Sequence, residues 1–158
     1  MPLRVMSRLT KPVNQKQPNN FSCLVYAYAT ILGISAKELM ILIGHDGAMQ
    51  IRGIEIGFHS QELLDACMFL DHTPVVIEAH SASILDEGDP YPIRTEEKSV
   101  ARLEKYMKNH SGVILCRVGF NKPHAVAWHN GEVYDPSVND FKINQLVIDE
   151  FHALYRLA

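Results

Sequence analysis

Cys23, His124 and Asp135 are the residues of this chain whose types and spacing suit nucleophilic chemistry. The stretch from His124 to Asp135 reads His-Ala-Val-Ala-Trp-His-Asn-Gly-Glu-Val-Tyr-Asp, two strand-like runs joined by Asn130-Gly131. That dipeptide favours a two-residue type I′ hairpin turn, because both turn positions need positive φ. With the turn there, His129 faces Glu132, and counting outward sets Val126 opposite Asp135 and His124 opposite Ser137. Cross-strand partners project to one face, so His124 and Asp135 become diagonal neighbours, roughly 7–8 Å apart at the backbone and close enough for a carboxylate to reach an imidazole. Trp128 shares the face, where it either covers the pair or serves as an ordinary core tryptophan.

A histidine held by a carboxylate is half of a nucleophilic site, since the carboxylate fixes the tautomer and stabilises the imidazolium formed when the nucleophile loses its proton. Cys23 supplies the other half. It precedes the apolar run Leu24 to Leu32, which follows Ser22, a capping residue type, and stops at Gly33, a helix terminator. At the start of that helix, unpaired N–H groups and the positive end of the dipole favour a thiolate. Cys67 falls on the apolar face of a later helix and Cys116 inside a strand, so both read as packing residues. His59, His72, His110 and His152 read as satisfied polar residues.

The segment Gln17-Pro-Asn-Asn-Phe-Ser-Cys23 opening a helix, followed far along the chain by His124 and then Asp135-Pro136, resembles the papain-like cysteine peptidases. It looks closest to the bacteriocin-processing, double-glycine-leader branch and its stand-alone relatives. The resemblance implies that the Gln17 side-chain amide and the Cys23 backbone N–H form an oxyanion hole, with Gln15 the less well spaced competitor. It implies equally that His124 acts as base and Asp135 orients it. Leu24 departs from the glycine that relatives commonly carry after the cysteine. No transporter membrane segment accompanies the motif, so processing of an exported leader peptide is not implied.

The surrounding elements indicate an α+β fold: N-terminal helices, the nucleophile opening the first, packed on an antiparallel sheet. Ser35-Ala-Lys-Glu38 is a capping box leading into a short helix through Ile43, closed by Gly44. Residues 44–59 contain four glycines and read as an irregular loop. Ser60 is expected to cap a helix over 61–70, and 74–78 to form a strand. Residues 80–98 form a polar stretch expected at the surface, and 99–109 a helix. A strand over 113–118, the His124 hairpin, a short helix near 145–150 and a last strand over 153–157 complete the reading.

Composition limits the alternatives. A chain of 158 residues suits one domain spanning 1–158, and its net charge of −3 with interspersed signs argues against nucleic acid or anionic membrane as partners. No signal peptide and no stretch approaching roughly 18 apolar residues is present, so a cytoplasmic location is expected. Three widely spaced cysteines do not make a disulfide framework, and neither C-x-x-C nor H-E-x-x-H occurs, so no metal or cofactor is expected. The expected partner is a peptide or protein substrate, and the expected reaction is cleavage of a peptide or amide bond through an acyl-thioester on Cys23. The same apparatus serves deamidases, amidases and acyltransferases. The contrasting reading is a papain-like scaffold retained as a binding or inhibitory module, for instance in a bacterial, phage or mobile-element protein.

Overall fold

The longest strand among the described residues, β8 (Val147–Leu157), organises the sheet around it. The computed structural model describes residues 6–7, 11–79 and 103–157. One edge of β8 pairs with β4 (His72–Glu78), and the other with β5 (Gly112–Val118) and the two-residue β1 (Met6–Ser7). From β5 the sheet continues through β6 (Lys122–His129) to β7 (Glu132–Tyr134), and every pairing is antiparallel. The helix expected near 145–150 is absent. A 3₁₀ turn at Ile143–Gln145 leads directly into β8, whose Ile148 and Phe151 are buried and whose backbone is paired on both edges. Pairing with distant strands overrides the local preference there.

Side chains alternate across this sheet and give it two apolar faces. Ala125 and Ala127 of β6 face α1 (Cys23–Leu32), and their small size lets the helix approach closely with Val25 and Tyr28 fully buried. Leu39 of α2 (Ala36–Ile43) and Leu63 and Cys67 of α3 (Ser60–Phe69) complete that cluster. Val126 and Trp128 point the other way, toward Leu103 and Met107 of the helical residues 103–107, and toward Phe151. The rest of the helix expected over 99–109 lies partly in 99–102, outside the described residues, as does the surface stretch 80–98; residues 108–109 are already in a turn.

Local signals account for most helix ends. Ser35 and Glu38 form the full capping box, and Gly33 and Gly44 close α1 and α2 in the left-handed region. Ser60 does not cap α3. His59 does, its Nδ1 accepting from Gln61 N at 3.1 Å while Glu62 Oε1 accepts from His59 N at 2.9 Å. Residues 44–59 are not wholly irregular: β2 (Gln50–Ile51) and β3 (Ile54–Glu55) form a small ribbon reversed at Arg52-Gly53. Among the described residues no single helix is long and apolar enough to cross a membrane.

Candidate active site

The start of α1 is shaped by Asn19. Its Oδ1 accepts from Phe21 N at 3.2 Å and from Ser22 Oγ at 2.6 Å, an Asx turn that arrests the preceding chain. Ser22 therefore makes no capping hydrogen bond to the helix, contrary to the expectation from its type, and α1 opens uncapped by any side chain at Cys23. The helix's first N–H groups keep their donor capacity there. The Cys23 side chain is partly exposed.

The hairpin brings His124 to this end of α1. Asn130 and Gly131 both adopt positive φ (48° and 83°), and His129 pairs with Glu132. The ladder stops at Tyr134, and Asp135 turns in so that its Oδ1 accepts from His124 Nε2 at 2.8 Å. The two side chains are 8% and 1% exposed, enough burial to exclude competing water. With Nε2–H committed to the carboxylate, Nδ1 is the ring nitrogen left for a thiol, and Cys23 lines the same two recesses as His124 and helps raise its proton affinity. The structure thus gathers Cys23, His124 and Asp135 at one end of α1, with His124 hydrogen-bonded to Asp135 and sharing its recesses with Cys23.

Charge follows from these contacts. Burial alone would lower His124, but hydrogen bonds and negative charge from Asp135 and Cys23 outweigh it and raise the imidazole to about 9. Burial would raise Asp135, but His124 and the backbone N–H groups of Ser137 and Phe141, at 2.8 and 2.7 Å, hold it at about 2. The aromatic ring against the imidazole is Phe141, edge-on at 5.7 Å between centroids. Trp128 does not cover the pair. It is a core residue whose Nε1 donates to Met107 O at 2.8 Å on the far face.

The segment before α1 laces the Asp135 loop in place. Asn14 Nδ2 and Lys16 Nζ each donate to Asp135 O at 3.0 Å, and Gln17 N donates to Pro136 O at 2.8 Å. Gln17 stands at the rim shared with Cys23 and His124. One N–H of its amide is held by Asn19 O at 2.5 Å, which fixes the side chain and leaves the second N–H available. Gln15 is placed elsewhere. Its amide bridges Ile34 O (2.6 Å) and Ala36 N (2.9 Å) at the junction of α1 and α2. No local signal announces Asn14, Lys16 or Phe141, because their contacts reach across the fold.

Two recesses meet at the thiol. One, about 670 Å³, is lined beside Cys23 by Leu24, Phe58, Leu115 and His124. The other, about 330 Å³, is bounded by Gln17, Asn20, Lys122 and Phe141 together with the same Cys23 and His124. Cys67 and Cys116 lie away from solvent, and burial pushes both thiols up to about 12. Among the described residues no group of three or more histidine, cysteine, aspartate or glutamate side chains is arranged to hold a metal ion.

No family model matches the sequence, and no curated protein matches it. Its structure, however, is similar to the crystal structure of a double-glycine-motif protease from an AMS/PCAT transporter in complex with the leader peptide. The TM-score is 0.54 and the identity 12%, and the match covers 99% of each chain. At that identity the likeness speaks for architecture alone: this chain has an α+β, papain-like fold, with its N-terminal helices packed on an antiparallel sheet.

Proposed function

We propose that the protein is a cysteine hydrolase that cleaves a peptide or amide bond through an acyl-thioester on Cys23. The observation that carries this reading is the imidazole of His124, held by Asp135 through Nε2 at 2.8 Å and lining the same recesses as the partly exposed Cys23 thiol. The fold shared with a protease that was crystallised on a leader peptide supports a peptide as substrate.

In this mechanism the thiol proton passes to His124 Nδ1, giving a thiolate–imidazolium pair that Asp135 stabilises. The thiolate attacks the substrate carbonyl carbon, and the developing oxyanion accepts from the Cys23 backbone N–H and the free N–H of Gln17 Nε2. Imidazolium then protonates the leaving amine as the C–N bond breaks, which leaves the acyl-thioester. Water, deprotonated by His124, attacks the thioester and releases the acid and the thiol. The raised basicity of His124 keeps the imidazolium available as a proton donor across neutral pH.

A diverse peptide library tests the reading. Wild-type protein should cleave a subset of peptides, whereas Cys23→Ala should cleave none while melting near the wild-type temperature, since Cys23 stands partly exposed at a helix start. Equal cleavage by the two proteins would exclude the mechanism.

A further inference from the structure

Beyond the reacting atoms, the larger recess has a defined chemistry. Phe21, Leu24, Ile56, Phe58 and Leu115 give it apolar walls, and Gly57 lets the Ile56–Phe58 wall close in, because a Cβ there would lie 2.5 Å from Phe21 O. Its far end is acidic. Register across the sheet sets Ala125 beside Leu115, Leu115 beside Glu150, and Glu150 beside Glu78, so one row runs from the neighbour of His124 to two carboxylates.

Glu78 and Glu150 are direct cross-strand partners, an arrangement of like charges that destabilises a sheet. Among the described residues neither forms an ion pair with a lysine or arginine. The nearby Asp149, also in the lining, accepts from Arg117 Nε and Nη2 at 3.0 Å each. Glu150 Oε2 accepts from His152 Nε2 at 3.0 Å, and His152 Nδ1 in turn accepts from the Tyr28 hydroxyl deep under α1. His152 is 1% exposed, and burial lowers its proton affinity, so it acts as a neutral donor that aims Glu150 without offsetting its charge. The buried Tyr28–His152 relay thereby fixes one carboxylate oxygen of Glu150, a residue that lines the recess.

We propose that this recess is a specificity pocket for a basic substrate side chain, with Glu150 and Glu78 receiving the lysine ammonium or arginine guanidinium and the apolar walls receiving its aliphatic stem. A substrate cation relieves the like-charge pairing, and the stem covers apolar surface that a carboxylate-bearing or short side chain would leave wet. Adjacent strands lie roughly 4.8 Å apart, which puts Glu150 roughly 10 Å and Glu78 roughly 14 Å from Ala125 across the sheet. Since one extended residue spans roughly 3.3–3.6 Å, the basic side chain belongs to a residue one to three positions from the scissile bond.

This inference rests on the hydrolase reading, and the test separates the two. Matched peptidyl acyloxymethyl ketones carrying lysine, norleucine or glutamate at each of those positions are reacted with the protein, and modification of Cys23 is timed by mass spectrometry beside modification by iodoacetamide. At one position lysine should outpace norleucine by about tenfold or more, the range for a charge-assisted hydrogen bond in a partly desolvated site, and glutamate should be slowest. Glu150→Gln should collapse the lysine-to-norleucine ratio toward one, and Glu150→Lys should favour glutamate. Because each ratio is internal to one variant, a loss of folded protein does not imitate it. Glu78→Gln, which leaves the His152 hydrogen bond intact, should lower the ratio independently. Rapid iodoacetamide reaction at Cys23 with no lysine preference at any position overturns the specificity pocket alone. Failure of Cys23 to react preferentially with any reagent overturns the hydrolase reading and this inference with it.

Discussion

His124 Nε2 and Asp135 Oδ1 stand 2.8 Å apart although the strand ladder between their segments ends at Tyr134. The carboxylate is held from behind by two backbone N–H groups, and its own carbonyl by Asn14 and Lys16, so the imidazole docks on a fixed anion. Pre-positioning of this kind matters because every step assigned to His124 needs one tautomer in one orientation.

Replacing Asp135 by Asn should therefore lower turnover by on the order of 10²–10⁴-fold while changing the Michaelis constant little, since the wrong tautomer is favoured and the recesses are untouched. Steady-state kinetics on a verified peptide substrate checks this. An unchanged turnover number would remove Asp135 from the mechanism.

The alkaline limb of kcat/KM should fall with a midpoint near pH 9, where His124 loses the proton it must give to the leaving amine. In Asp135→Asn that limb should move to lower pH, because the hydrogen bond and charge that sustain the imidazolium are weakened. A limb at the same pH in both proteins would assign the titration to another group.

Stability should carry the signature of the same pair. Asp135 is lowered from 3.8 to about 2, so its contribution, about 2 kcal/mol, is present above pH 4 and is lost as pH falls toward 2. His124 is raised from 6.5 to about 9, so its contribution is full below pH 6.5 and is lost as pH rises through 9. These are two views of one interaction and do not add. The difference in urea midpoint between wild type and Asp135→Asn should be greatest between about pH 4 and 6.5 and shrink on both sides. A difference independent of pH would contradict the charge assignment.

Gln17 and Gln15 should separate cleanly. Gln17→Ala should lower turnover by roughly 10²–10³-fold with little change in the Michaelis constant, because its amide meets the oxyanion more strongly than the ground-state carbonyl. Iodoacetamide reaction at Cys23, which forms no oxyanion, should hardly change. Gln15→Ala removes the bridge between Ile34 O and Ala36 N, so it should lower stability by about 1–3 kcal/mol and spare turnover. A kinetic defect confined to Gln15→Ala would reverse the two roles.

Where the chain solves a problem locally, its sequence announces the solution. Asn130-Gly131 dictates the hairpin and its register, Ser35 and Glu38 the start of α2, and Gly33 and Gly44 the ends of α1 and α2. That register brings Asp135 near His124, but the ladder ends at Tyr134, short of the expected Val126–Asp135 and His124–Ser137 pairs. Asp135 reaches the imidazole by turning in past the strand end. Features set by distant partners were hidden. Residues 145–150 suggest a short helix, but β4 and β5 claim both edges of β8, and Phe141 lies against His124 where Asp135 captures its N–H. His59 was missed as a cap because histidine is not among the usual capping types, and Ser22 was overvalued because Asn19 competes for its hydroxyl. The alternation along β6 did not disclose that Trp128 packs on Met107 rather than over His124.

Competitive alkylation of the three thiols tests the assignment of Cys23 most directly. Native protein is exposed to limiting iodoacetamide at pH 6.5, quenched and mapped by peptide mass spectrometry, and the experiment is repeated with His124→Ala. Cys23 should react more than about a hundredfold faster than buried Cys67 and Cys116, whose thiols are held near 12, and the advantage should fall sharply without His124. Equal sluggishness of all three thiols, or a Cys23 rate indifferent to His124, would contradict a nucleophile paired with an imidazole.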